Sequence, residues 1–190
     1  MQFVDKTTAN KSTQLLEGVI SAPTAGETLH SSEPLIVNLI NGSIYVTGTT
    51  SSLETALQIT AAQAAPYAGK WIVVSQSDAP FQLLAQDLTL AATIDVFTPG
   101  QSGLRMGKVR TVGGKRVIPL VGVPSNLPKG TSGSAALLVS VKAPHLPMGG
   151  TLVLGNKTGR LTEVAVFKQW GAKVVLNAPT GATPFSSLLG

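Results

Sequence analysis

Few side chains in this sequence can do chemistry, and their spacing assembles no catalytic set. The two histidines, His30 and His145, stand in Ser- or Pro-rich stretches with no carboxylate or second histidine at ligand spacing. Metal binding or general-base work by either is not expected. There is no cysteine, which removes disulfides, thiolate zinc sites and a thiol nucleophile together. The nine acids are scattered, and no Gly-Lys-Ser/Thr phosphate loop or Gly-x-Ser-x-Gly elbow occurs. Gly130-Thr131-Ser132-Gly133-Ser134 is Gly-rich, but it leads into a strand and so lacks the helix N-terminus that would hold a phosphate. These residues point away from an enzyme, and they imply no cofactor and no metal.

Positive charge is the one strong signal. Residues 1–103 carry Lys6, Lys11 and Lys70 against eight acids, a net −5, whereas residues 104–190 carry eleven basic residues against Glu163 alone, a net +10. Arg105, Lys108, Arg110, Lys115 and Arg116 fall within one twelve-residue stretch. A cluster of this kind attracts anionic groups, and transient contact with an anionic membrane surface is the partner it suggests; the plainer reading is a solvated basic hairpin. Nucleic acid is not expected, because residues 104–116 contain no aromatic to stack on bases and the helical segments lie in the acidic half.

The chain that must position these residues has 190 residues, enough for a single domain spanning 1–190. Hydrophobic residues make up 43% and charged residues 12%, which excludes a disordered chain. No run approaches the roughly 18 apolar residues of a spanning helix. Met1 to Lys11 is polar, without the apolar stretch of a signal peptide, so the chain reads as cytoplasmic or as a mature protein whose leader has been removed. Residues 1–12 are expected to be a flexible N-terminal segment.

Strand signals dominate. Pro34–Ile40 and Ser43–Thr47 are β-branched runs joined by Asn41-Gly42, a pair that tolerates the positive φ of a type I′ hairpin. Gln14–Ser21, Lys70–Val74, Leu104–Val112, Lys115–Val121, Ser134–Lys142, Thr151–Leu154, Arg160–Trp170 and Lys173–Asn177 also read as strands, with Gly113-Gly114 as a second tight hairpin. Pro144 and Pro147 mark a loop or an interrupted edge strand. Helix is confined to residues 51–97. Ser51 or Ser52 and Thr60 are the candidate N-caps, and Ser77-Asp78-Ala79-Pro80 starts an apolar face of Phe81, Leu84, Leu88, Ala91 and Ile94 that breaks near Thr89. Short connections mean antiparallel pairing, so the expected class is α+β: a large antiparallel sheet that curls, with helices against one face. Trp71 and Trp170, each in or beside a strand, are expected to be core residues.

Several stretches resemble actinobacterial cell-envelope lipoproteins. Gly42-Ser43-Ile44-Tyr45-Val46-Thr47-Gly48 followed by Tyr67-Ala68-Gly69-Lys70-Trp71-Ile72-Val73-Val74 is similar to the middle of that family, as are the helix from Phe81 to Thr98 and the strand pair within Gly107–Val117. Val164–Gly171 and Val174–Pro179 resemble its closing motif, and Lys142–Pro147 stands at the place of its proline-rich hairpin. The likeness spans about residues 14–188. It points to the mycobacterial LppX, LprA, LprF and LprG type and, more distantly, to the LolA and LolB carriers. It implies a half-barrel of antiparallel strands with helices on its concave side, an extracytoplasmic location, and a lipid or acylated hydrophobic ligand between sheet and helices. It brings no catalytic residues, and the family's lipid-bearing cysteine has no counterpart in this chain.

The leading expectation is thus a monomeric extracytoplasmic protein that binds or carries a lipid or other hydrophobic ligand. Phe81, Leu84, Leu88 and Ile94 from the helix and Leu35, Val37, Ile44, Val46, Trp71 and Val73 from the sheet are the expected pocket wall. Arg105, Lys108, Arg110, Lys115 and Arg116 are the expected contacts to an anionic surface. The alternative is a cell-surface interaction protein with a packed core and no ligand. An apolar void of several hundred Å³ separates the two.

Overall fold

The computed structural model describes residues 2–7, 12–18, 25–30, 34–88, 90–125, 127, 129–157, 159–172 and 175–189. Their contacts gather into two compact units, one of residues 13–92 and 171–190, the other of residues 2–12 and 93–170.

In the first unit the expected Asn-Gly hairpin joins β4 (Leu35–Ile40) to β5 (Ser43–Gly48). Asn41 and Gly42 have φ of 50° and 78°, the positive values a primed turn needs. β2 (Ser12–Gly18) and β3 (Ala25–His30) extend the sheet beyond β4, and β6 (Ile72–Val74) pairs with β5. Opposed pairs Val37↔Val46, Leu39↔Ile44 and Val46↔Ile72 place these side chains on one face, and all are buried.

Helices α1 (Thr50–Leu57) and α3 (Phe81–Asp87) pack against β5. Thr49, rather than Ser51 or Ser52, caps α1: its Oγ1 accepts from the Ser52 amide at 3.2 Å. Ser52 is instead buried, and its hydroxyl donates to the Pro34 carbonyl at 3.0 Å. A side chain at Gly48 would collide with the Ser52 hydroxyl, so the glycine lets α1 approach the sheet closely. Thr60 caps α2 (Ala61–Ala64) as expected, in a reciprocal capping box with Gln63. The helical path then runs through Pro66 as a 3₁₀ turn, Ala65–Tyr67. α3 begins after Pro80, which stands at the N-cap and has no side-chain acceptor to offer; the Asp78 carboxylate accepts from the Ser75 amide at 2.7 Å. The expected helix break falls as read, between α3 and α4 (Leu90–Phe97).

The second unit orders its strands β1-β12-β11-β10-β9, from β1 (Gln2–Thr7), β12 (Gly159–Lys168), β11 (Pro147–Asn156), β10 (Ser132–Ser140) and β9 (Lys115–Gly122). Gln2–Thr7, expected as flexible chain, is therefore a strand, in register with Asp5↔Ala165 through Gln2↔Lys168. The expected strand Leu104–Val112 is two short ones, β7 (Arg105–Met106) and β8 (Arg110–Val112), both on β9. The cause is Pro119, which has no N–H to donate to the ladder. Gly107–Val109 stand opposite only Ile118 and Pro119, so one residue is extra and the chain bulges; the Gly107 amide donates to the Pro119 carbonyl at 2.8 Å.

The end of α4 packs on the β11 and β12 face. Phe97 meets Phe167 edge to face, with centroids 6.2 Å apart at 75°. Gly150 lies beneath it, and a Cβ there would stand 2.5 Å from the Phe97 Cβ.

Two further differences concern the C-terminal segment. Val175–Asn177 are not a strand, and the rest of the expected Lys173–Asn177 element lies outside the described residues. β13 (Thr183–Pro184) pairs with β6 in parallel, whereas the other strand pairings among the described residues are antiparallel. Among the described residues α-helix lies only between 50 and 97 and strand dominates, which is the expected α+β class.

Candidate functional site

Antiparallel alternation brings the start of β9, the end of β10, the start of β11 and the end of β12 to one end of the second unit's sheet. A pocket of about 660 Å³ lies there. Its apolar lining is Val141, Ala143, Pro144, Leu146, Met148 and Trp170, its cations are Lys115, Arg116 and Lys142, and Ser140 and Gln169 complete it. No carboxylate is among these residues.

Local chemistry fixes each wall. The Val141 amide donates to the Arg116 carbonyl at 3.0 Å, extending the β9–β10 ladder one step past Ser140↔Val117. Ser140 then organises the turn: its hydroxyl donates to the Lys142 carbonyl at 3.0 Å and accepts from the Lys142 amide at 3.1 Å. The Ser140 amide donates across the loop to the Leu146 carbonyl at 2.9 Å, and His145 Nδ1 lies 3.1 Å from the Ser140 carbonyl oxygen. Pro147 opens β11, a position where its missing N–H costs nothing in the ladder. The register passes from Leu138↔Gly149 to Val139↔Pro147, leaving Met148 unmatched. This bulge gives Met148 its place in the pocket wall. The Trp170 indole N–H donates to the Pro147 carbonyl at 2.7 Å, which satisfies the polar edge of the ring and leaves its hydrocarbon surface for the pocket. Trp170, expected as a core residue, is half-buried and shows part of its ring to the pocket.

Of the expected anionic-surface contacts, Lys115 and Arg116 line this pocket and Arg105, Lys108 and Arg110 do not. All but Arg105 and Lys108 are gathered by the Gly113-Gly114 hairpin, whose register sets Arg110 opposite Val117 and Thr111 opposite Arg116. All five are exposed.

The ten residues expected to wall a ligand space do not line this pocket. Val37, Ile44, Val46, Phe81 and Leu88 are buried core, and Leu35, Leu84, Ile94, Trp71 and Val73 are half-buried. Val73 stands opposite Tyr45, on the sheet face away from Ile44 and Val46, so the set is not one surface. Sequence reading missed Lys142, Leu146 and Met148. A proline-bounded turn after a basic residue was the available signal, but a bulge leaves no mark in composition.

A second, more open trough of about 1130 Å³ is lined by Gly130–Ser134, Lys157 and Arg160 among others. The Gly-rich segment runs directly into β10, so no helix N-terminus adjoins it. Among the described residues no three acidic or histidine side chains cluster as a metal would require, and no helix is long and apolar enough to cross a membrane.

No protein-family model matches this chain, and no curated protein matches it. It is similar to a crystal structure described as an outer membrane lipoprotein-sorting protein domain from Vibrio parahaemolyticus. Identity is 10%, over 90% of this chain and 84% of that one, with a TM-score of 0.25. At that score the likeness does not bear on function, which rests on the residues themselves.

Proposed function

We propose that the protein is an extracytoplasmic binding or carrier protein for a lipid or other hydrophobic ligand, and not an enzyme. The observation that carries this reading is the 660 Å³ pocket with its wall of Trp170, Leu146, Met148 and Val141. Ligand pockets commonly span roughly 300–1,000 Å³ and are mostly apolar with a few placed polar groups. The resemblance of Gly42–Val74 and Val164–Pro179 to LppX- and LprG-type lipoproteins supports the same class and the extracytoplasmic location. The seat differs from the one that resemblance implies: it lies at the strand ends of one unit, not between sheet and helices.

A second reading is an interaction protein with a packed core and no ligand. The close fit of Phe97 on Gly150 favours it, since helix and sheet leave no gap there. Native mass spectrometry of the protein purified from its own host, followed by solvent extraction, separates the two. The carrier reading expects an added mass that the extract identifies as acyl lipid. A bare polypeptide mass, unchanged after incubation with host lipid extract, supports the packed-core reading.

A further inference from the structure

We propose, building on the carrier reading, that the pocket selects an amphiphile with one apolar chain and an anionic headgroup. Lys115, Arg116 and Lys142 hold the headgroup, and Trp170, Leu146 and Met148 receive the chain.

The charge argument comes first. Among the described residues three cations border one pocket and no carboxylate lines it, so an incoming anion meets no competitor among them. Two of the three have preset backbones. Arg116 is tied to Val141 by the 3.0 Å amide–carbonyl bond, and Lys142 is held in the turn that Ser140 closes from both sides. Arginine offers a planar fork matched to carboxylate or phosphate, and the lysines add point charges. A neutral headgroup would gain no ion pair from these side chains.

The chain argument is independent of charge. Trp170 has its N–H satisfied by Pro147, so the ring asks no hydrogen bond of the ligand. Met148, displaced by the bulge, is an unbranched side chain that adapts to a flexible chain. The volume is compatible with one chain: about 660 Å³ falls within the range for a single small ligand, which suits one chain with its headgroup.

The test uses Trp71→Phe protein, in which Trp170 is the sole tryptophan, titrated with monomeric oleoyl-lysophosphatidate, with monoolein and with inorganic phosphate. Calorimetry on the unsubstituted protein reads the same ratios without relying on that variant. Lysophosphatidate is expected to bind and shift Trp170 emission. Monoolein should bind at least about tenfold more weakly, the ratio that one charge-assisted hydrogen bond supplies. In Arg116→Gln/Lys142→Gln protein, with its circular dichroism unchanged, the two affinities should converge. Equal affinities in the unsubstituted protein would overturn headgroup selection while leaving the carrier reading standing. Phosphate binding as tightly as lysophosphatidate would reduce the pocket to an anion site and overturn the proposal. No response to either amphiphile would overturn both readings.

Discussion

Gly150→Ala should destabilise the protein, against the ordinary trend for glycine in a strand. Alanine in place of a strand glycine, where space allows, gains about 0.4–1 kcal/mol by restricting the unfolded chain. At position 150 the new methyl would stand 2.5, 2.7 and 2.9 Å from Cβ, Cγ and Cδ1 of Phe97. Phe97 is 2% exposed and braced by Phe167, so it has little room to yield. Overpacking of this kind costs about 1–3 kcal/mol, which outweighs the backbone gain. Phe97→Ala alone should cost about 3–5 kcal/mol as a large buried aromatic lost from a core. With Phe97 already truncated, the alanine at 150 has space, and its penalty should vanish or reverse. Urea denaturation of the two single variants and the double variant closes the cycle. The expected coupling is about 1–3 kcal/mol, the range for residues in contact. A neutral or stabilising Gly150→Ala, or additivity within about 0.5 kcal/mol, would refute the packing of α4 on β11.

Three smaller perturbations test other elements. Thr60→Ala removes the reciprocal cap of α2 and should cost about 1 kcal/mol in denaturation midpoint measurements, with Thr60→Ser near neutral. Gly42→Val forces a β-branched residue to φ of 78° and against Gln76 Nε2. It should cost about 1–2 kcal/mol or more, and a variant as stable as the parent would dispute the primed turn. Reversal of Arg110, Lys115 and Arg116 to glutamate should abolish co-sedimentation with anionic vesicles, and parental binding should fall steeply with salt because exposed charges are screened. Sedimentation indifferent to both would refute docking of the hairpin on an anionic surface.

What was legible in the sequence follows from the range of the interactions involved. The two glycine-bearing hairpins, the Thr60 cap and, among the described residues, the restriction of α-helix to about the expected 51–97 are written in neighbours along the chain, and each is present. Thr49 displaced Ser51 and Ser52 as the cap because Ser52 is turned inward to Pro34, eighteen residues away. The strand at Gln2–Thr7 exists through pairing with β12, a partner some 160 residues distant that local pattern does not reveal. The pocket is further removed from local signals. It needs four strand ends brought together, a bulge at Met148 and a turn closed by Ser140. Apolar periodicity pointed instead to Ile44, Val46, Phe81 and Leu88, which pack as core, since a buried wall and a filled core share one pattern.

The location of the ligand is tested most directly by NMR of isotope-labelled protein with an oleate-chain lysophosphatidate bearing a nitroxide on its chain. Trp170 supplies the decisive signal, because its indole N–H sits in the pocket wall, bonded to Pro147. Selective broadening of the Trp170 indole and of the Val141, Leu146 and Met148 amides is the expected result. Broadening centred on Val46, Phe81 and Leu88, or none at all, would contradict a ligand site at the ends of β9 to β12.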